Sequence, residues 1–195
     1  MEDQAKEWNM ELIPTLDLGW LNGWIPLGLL CLVEGLLLLT SPRAVTARLF
    51  DRSTWSKRQA TFTAVGKAFS LACIVLIVLT PLKVGSVAFV VGAVIYLLGL
   101  VGLVTAILNF RRTPLNEPVT EGLNRISRHP QIVALFVSFL GMCVAIGSWL
   151  AILMLVISKL FQHLGILAEE EACLAQYGES YRAYVERVPR YFVFF

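Results

Sequence analysis

The sequence predicts an all-α, integral membrane bundle of about five transmembrane helices. The N-terminus is expected outside, the C-terminus in the cytosol, and an amphipathic helix at the C-terminal end. Three observations carry this reading. Of 195 residues, 57% are hydrophobic and only 15% charged, whereas a soluble domain has roughly 45–50% and 25%. The apolar residues gather into five stretches, 20–40, 65–82, 86–110, 132–147 and 149–167, and spans of about 20 residues each would fill half the chain. The basic residues are also partitioned: 13 of the 16 Lys and Arg lie on one side of that five-span arrangement. The side rich in Lys and Arg is the cytosolic one.

The first stretch is read as a retained helix rather than a signal peptide. Its leader carries Glu2, Asp3, Glu7, Glu11 and Asp17 against Lys6, the reverse of a basic leader region. Trp20 and Trp24 suit interfacial anchors. Between the first two spans, 43–62 interleaves Leu49, Phe50, Trp55 and Phe62 with Arg43, Arg48, Arg52, Lys57 and Arg58, against one acid, Asp51. That pattern predicts a helix lying on the inner leaflet. The third span holds Gly92, Gly99 and Gly102, small residues that let a neighbouring helix approach. The last two spans are separated only by Gly147-Ser148 and form a tight hairpin, the first of them starting at Pro130. Tyr177-Gly178 should end the final long helix, glycine taking the position after the last turn.

Composition excludes several functions. A net charge of +2 leaves no basic footprint for nucleic acid, and the apolar content excludes disorder. Cys31, Cys73, Cys143 and Cys173 show no metal-ligand spacing, and only His129 and His163 are available beside them, so no metal and no disulfide framework is expected. The chain reads as one membrane domain over 1–195. Glu34, inside the first span, is expected in an interhelical hydrogen bond away from any site, although intramembrane carboxylates are usually functional.

Polar residues concentrate in two clusters on the expected cytosolic side, 117–131 and 169–190. A hairpin that returns to its starting side brings them together. Lys159, His163, Glu170, Leu174 and Tyr177 share one helical face. Glu170 on a packing face needs a cation, either Lys159 or Arg128, unless a cationic ligand meets it.

The combination Glu121-Gly122-Leu123-x-Arg125-x-x-Arg128-His129-Pro130, a two-helix hairpin, Glu169-Glu170, Tyr177-Gly178, Tyr181-x-x-Tyr184 and Val188-Pro189-Arg190 resembles one membrane-enzyme family. It is the family of isoprenylcysteine carboxyl methyltransferase and phosphatidylethanolamine N-methyltransferase, over residues 115–190. The resemblance implies a catalytic, cofactor-binding half over 111–195, with 1–110 supplying the N-terminal spans. It implies S-adenosylmethionine as cofactor, held by Gly122, Arg128, His129, Pro130, Glu169 and Glu170, with His129 and Glu170 catalytic. Tyr181, Tyr184 and Arg187 are expected to bind the acceptor, an isoprenylcysteine-type carboxylate or a phospholipid amine. The expected partners are a lipid or lipidated acceptor and the bilayer, with neither nucleic acid nor metal. The expected location is the plasma or inner membrane of a prokaryote, or the endoplasmic reticulum of a eukaryote, as a multi-pass protein. The chain departs from the family pattern at Asn124 and Ile132, where tyrosine is common, and at Gly165, where arginine is common; Lys159 or His163 is available to replace that arginine. Rival readings are a sterol-reductase-like NADPH enzyme, for which 195 residues are few, and a non-enzymatic membrane scaffold.

Overall fold

A computed structural model describes residues 8, 10–50, 55–114 and 117–192. The leader residues Glu2, Asp3, Lys6 and Glu7, and Asp51 and Arg52 of the expected surface helix, lie outside them. The described chain is all α-helical: α1 (Trp24–Leu39), α2 (Arg43–Leu49), α3 (Lys57–Leu79), α4 (Val87–Arg112), α5 (Pro130–Ala145), α6 (Trp149–Tyr177) and α7 (Glu179–Val185). A 3-10 turn, Gly122–Arg125, precedes α5.

Helices α3, α4 and α6 are long and apolar enough to cross a membrane. The other two expected spans, α1 and α5, have 16 residues each, about 24 Å at 1.5 Å per residue, short of a hydrocarbon core of about 30 Å. Helix α6 errs the other way. Its 29 residues reach about 43 Å, so the stretch after residue 167, with its three glutamates, projects beyond the apolar part.

Local chemistry explains most boundaries. Helix α1 begins at Trp24 rather than at residue 20 because the buried Asn22 side chain holds the preceding turn to α3. Its amide donates to the Asp17 and Val78 carbonyls at 2.5 and 3.2 Å. The expected surface helix over 43–62 is divided. Its first part forms α2, and its last part belongs to α3, because Ser56 and Gln59 make a reciprocal capping box that starts α3 eight residues before the expected span. Pro130 occupies the first turn of α5, and Gly178, at φ 55°, closes α6, a left-handed conformation for which glycine is the default residue.

The hairpin of α5 and α6 forms as expected but packs mainly on other helices, α5 against α4 and α6 against α3. Glycine sets the first contact. A Cβ on Gly92 would come within 2.4 Å of the Ala145 nitrogen, one on Gly99 within 2.4 Å of the Ser138 nitrogen, and one on Gly141 within 2.3 Å of the Tyr96 nitrogen. The two backbones therefore touch directly. Around this seam lies one apolar core with Leu30, Ile77, Leu103, Met142 and Leu155. Cys73 and Cys143 are buried there as thiols 3.7 Å apart.

The two ends of the bundle differ. At one, Glu11 bonds Lys83 at 2.6 Å and its backbone bonds the α5–α6 turn. At the other, Arg48 donates to the Pro114 and Glu117 carbonyls and Arg111 to the Thr40 carbonyl. The second end carries the site.

Candidate functional site

The chain comes back on itself to build this end. After Gly178, α7 buries Tyr181 and Tyr184 against the 3-10 turn. The Tyr184 hydroxyl donates to the Asn124 carbonyl at 2.7 Å. The Arg128 N–H donates to the Pro189 carbonyl at 3.0 Å, and the Ser127 hydroxyl to the Arg190 carbonyl at 3.0 Å. These bonds carry Arg190 to the buried carboxylate of Glu170.

Glu170 is 6% exposed and is met from three directions. Arg190 grips it with Nε at 3.0 Å from Oε1 and Nη2 at 2.7 Å from Oε2. His129 Nε2 lies 3.2 Å from Oε1, and Arg128 Nη1 3.2 Å from Oε2. Burial pushes its pKa up, but the bonds to His129 and Arg190 and the charge of Arg128 outweigh burial and bring it down to about 2. Fork-shaped arginine pairing of this kind is the strong form of the contact. Glu170 is thus an ionised anchor in a network of its own side chains.

Arg128 contributes differently. Its side chain is buried, yet Nε and Nη1 have no hydrogen-bond partner, because the 3.2 Å contact with Glu170 is close in distance but misdirected. Buried polar groups are nearly always satisfied; Arg128 faces Glu170 as a charge but keeps donor groups at Nε and Nη1 that no acceptor takes. It lines a cavity of about 680 Å³ together with His129, Pro130, Glu169, Tyr181 and Tyr184, a volume within the usual range for small-molecule sites. Glu169 Oε2 lies 3.8 Å from His129 Nδ1, so the imidazole stands between two carboxylates. Burial raises the Tyr181 and Tyr184 pKa values, the latter to about 12; both phenols stay neutral.

Of the residues expected from sequence, Arg128, His129, Pro130, Glu169, Tyr181 and Tyr184 meet at this cavity, with Glu170 behind them. Two stand off its lining. Gly122 (φ 62°) is exposed in a turn pressed against the Asn109 side chain. Arg187 is exposed and donates to the Ala183 carbonyl. The cation for Glu170 is Arg128, one of the two expected, joined by Arg190. The shared face of α6 is narrower than expected: His163 turns to the Tyr191 hydroxyl at 2.8 Å, and Leu174 is 38% exposed. At Gly165, where arginine is common, the Trp55 ring and Thr63 hydroxyl each stand 2.9 Å from where a Cβ would be; that space is filled.

Residues from the N-terminal half also reach the cavity. Arg48 lies over the Phe110 and Tyr177 rings at 5.3 and 5.8 Å and lines it, as do Glu34, Thr63 and Lys67. Among the described residues Glu34 has no interhelical hydrogen-bond partner, and it lines the site's cavity rather than lying remote from it. Its charge inside an apolar span was the signal that pointed here.

The comparison with known protein families bears on the segment holding most of this geometry. Residues 109–180 match the phospholipid methyltransferase family. Over these residues the chain is similar to that family, which is also the one the motif run resembles. No curated protein and no solved structure matches the chain. The matched segment includes the 3-10 turn, α5, α6 and the start of α7, hence Arg128, His129, Glu169 and Glu170. It stops short of Arg190, the residue that closes the network on Glu170.

Proposed function

We propose that the protein is an S-adenosylmethionine-dependent methyltransferase acting on a membrane-embedded acceptor. The observation that carries this reading is Arg128 in the cavity wall, ion-paired with Glu170 yet with no hydrogen-bond acceptor for its buried Nε and Nη1, within the segment that matches the methyltransferase family. S-adenosylmethionine offers a carboxylate that suits these donors and an ammonium that suits Glu169. When bound, the cofactor supplies an electrophilic methyl group.

The side chains around it act by position and charge. Glu170, ionised and gripped by Arg190, is acceptor-only, so the His129 Nε2 facing it carries the proton. In the neutral imidazole the other ring nitrogen, Nδ1, is the one that would take a proton released by an amine acceptor. A carboxylate acceptor needs no base and relies on orientation in a water-poor cavity. Helix α5 contributes Ile132 and Leu135 to the cavity wall; in this reading the acceptor slides in between them and the end of α4, keeping its chains in lipid. The site end faces the cytosol, in keeping with its excess of Lys and Arg.

The test is methyl-labelled methionine fed to cells with and without the protein, followed by mass spectrometry of the lipids and prenylated proteins. A new labelled lipid or prenylated protein supports the reading and names the acceptor class. No new labelled species, together with binding of NADPH by the purified protein, would replace it with the reductase reading.

A further inference from the structure

The cavity does not end at the methyltransferase network. It continues along α6 from Tyr177 to Lys159, about 27 Å at 1.5 Å per residue, well into the apolar part of the bundle. There it is lined by Glu34 of α1, Lys67 of α3 and Lys159 of α6. Contacts between the helices set these residues at one depth. Gly66 of α3 lies against Ser158 and Gln162 of α6, and Ser70 meets Ser158 at 2.6 Å; Lys67 and Lys159 are the next residues along. Gly23, just before α1, packs on Ile77 of α3. Eleven residues on from Gly23 is Glu34, and eleven back from Ile77 is Gly66, each about 16 Å along its helix.

Among the described residues, none of these three charged side chains forms a salt bridge or a side-chain hydrogen bond. A fourth group is also unsatisfied. Thr63, one turn towards the network from Lys67, is 6% exposed, lines the same cavity, and its buried hydroxyl has no partner. Intramembrane charges normally pair with one another or serve a ligand, and a buried hydroxyl without a partner is rare. Two lysines against one glutamate leave one more basic group than acidic, which a single anionic group on a ligand would balance.

We propose that Lys67, Lys159 and the Thr63 hydroxyl form an oxyanion subsite for the acceptor, an amphiphile bearing one negative charge as a phosphodiester or a carboxylate. Glu34 limits the subsite to one unit of positive charge. This assignment rests on the methyltransferase reading for the word acceptor, and on its own geometry for the anion.

Native mass spectrometry of the detergent-purified full chain tests it, with phosphatidylglycerol, palmitate and diacylglycerol as probes. The protein should retain phosphatidylglycerol or palmitate at least ten-fold better than diacylglycerol, and whichever is retained better tells phosphate from carboxylate. Lys67→Met and Lys159→Met should each reduce that preference about ten-fold, and Lys159→Arg should restore it. Glu34→Gln should strengthen anion retention several-fold, which keeps the test decisive should a lysine variant not fold. Equal retention of diacylglycerol, or lysine variants that keep the preference, would overturn the subsite. Release of the lipid by inorganic phosphate would overturn the amphiphile and assign the subsite to a soluble anion. Calorimetry with S-adenosylmethionine on the same wild-type sample reports separately on the methyltransferase reading.

Discussion

Replacing Glu170 by glutamine tests how the site is held. The ionised carboxylate is gripped by Arg190, touched by His129 and faced by Arg128, and its pKa falls from 4.5 to about 2. At about 1.36 kcal/mol per pKa unit, this difference corresponds to roughly 3 kcal/mol favouring the folded state when the group is charged. An amide keeps the shape but leaves the buried Arg128 and the partly exposed Arg190 without their anion, a change that costs about 3–5 kcal/mol in other buried pairs. The two figures agree. Glu170→Gln should therefore lower stability at neutral pH by about 3 kcal/mol, a shift of more than 100-fold in the folding equilibrium. Reversible unfolding in mixed micelles measures it. The pH dependence supplies a control. A carboxylate with a depressed folded pKa contributes its stability in full above its unfolded pKa of 4.5 and loses it as pH falls towards 2. Wild-type stability should fall across that window, and the variant should lack this component of the acid slope. A loss under 0.5 kcal/mol, or an unchanged slope below pH 4.5, would refute the anchoring role.

Three further outcomes follow from the packing and the cavity. Tyr184→Phe leaves the buried Asn124 carbonyl without its 2.7 Å donor and should cost about 1–3 kcal/mol in the same unfolding assay; an unchanged midpoint would contradict it. Gly141→Val places a side chain where even a Cβ stands 2.3 Å from the Tyr96 nitrogen, so it should destabilise by at least about 1–3 kcal/mol, seen as a lowered Tm; the same change at Gly28, where nothing lies within 4 Å, should be far milder. Ile132→Trp at the cavity wall should raise the KM for the lipid acceptor while calorimetric cofactor affinity holds. Equal damage to both would mean that the two ligands share one route.

The parts of the fold legible in the sequence were those written in local chemistry. Pro130 at the start of α5, Gly147-Ser148 at the hairpin and Gly178 at the end of α6 each act over a few residues, so their types alone predict their places. The meeting of 117–131 with 169–190 was also legible, since a hairpin must return to its own side. Longer reach was not. Arg190 lies 20 residues from Glu170, and the docking of α7 and the residues after it on Asn124, Ser127 and Arg128 brings them together. Glu34 and Lys159 were visible as charges in apolar spans, but their common depth depends on how α1, α3 and α6 pack. The early start of α3 was readable from Ser56 and Gln59, yet the basic and aromatic interleaving over 43–62 masked it.

The most direct measurement is calorimetric titration of the detergent-purified protein with S-adenosylmethionine, wild type against Arg128→Gln. Wild type should bind with one site per chain. The variant should bind at least ten-fold more weakly, because a charge-assisted contact is worth about 1.5–3 kcal/mol. It should also keep most of its unfolding free energy, since Arg190 still grips Glu170. No binding by the folded wild type, or an affinity unchanged in the variant, would contradict the assignment of this cavity to the cofactor.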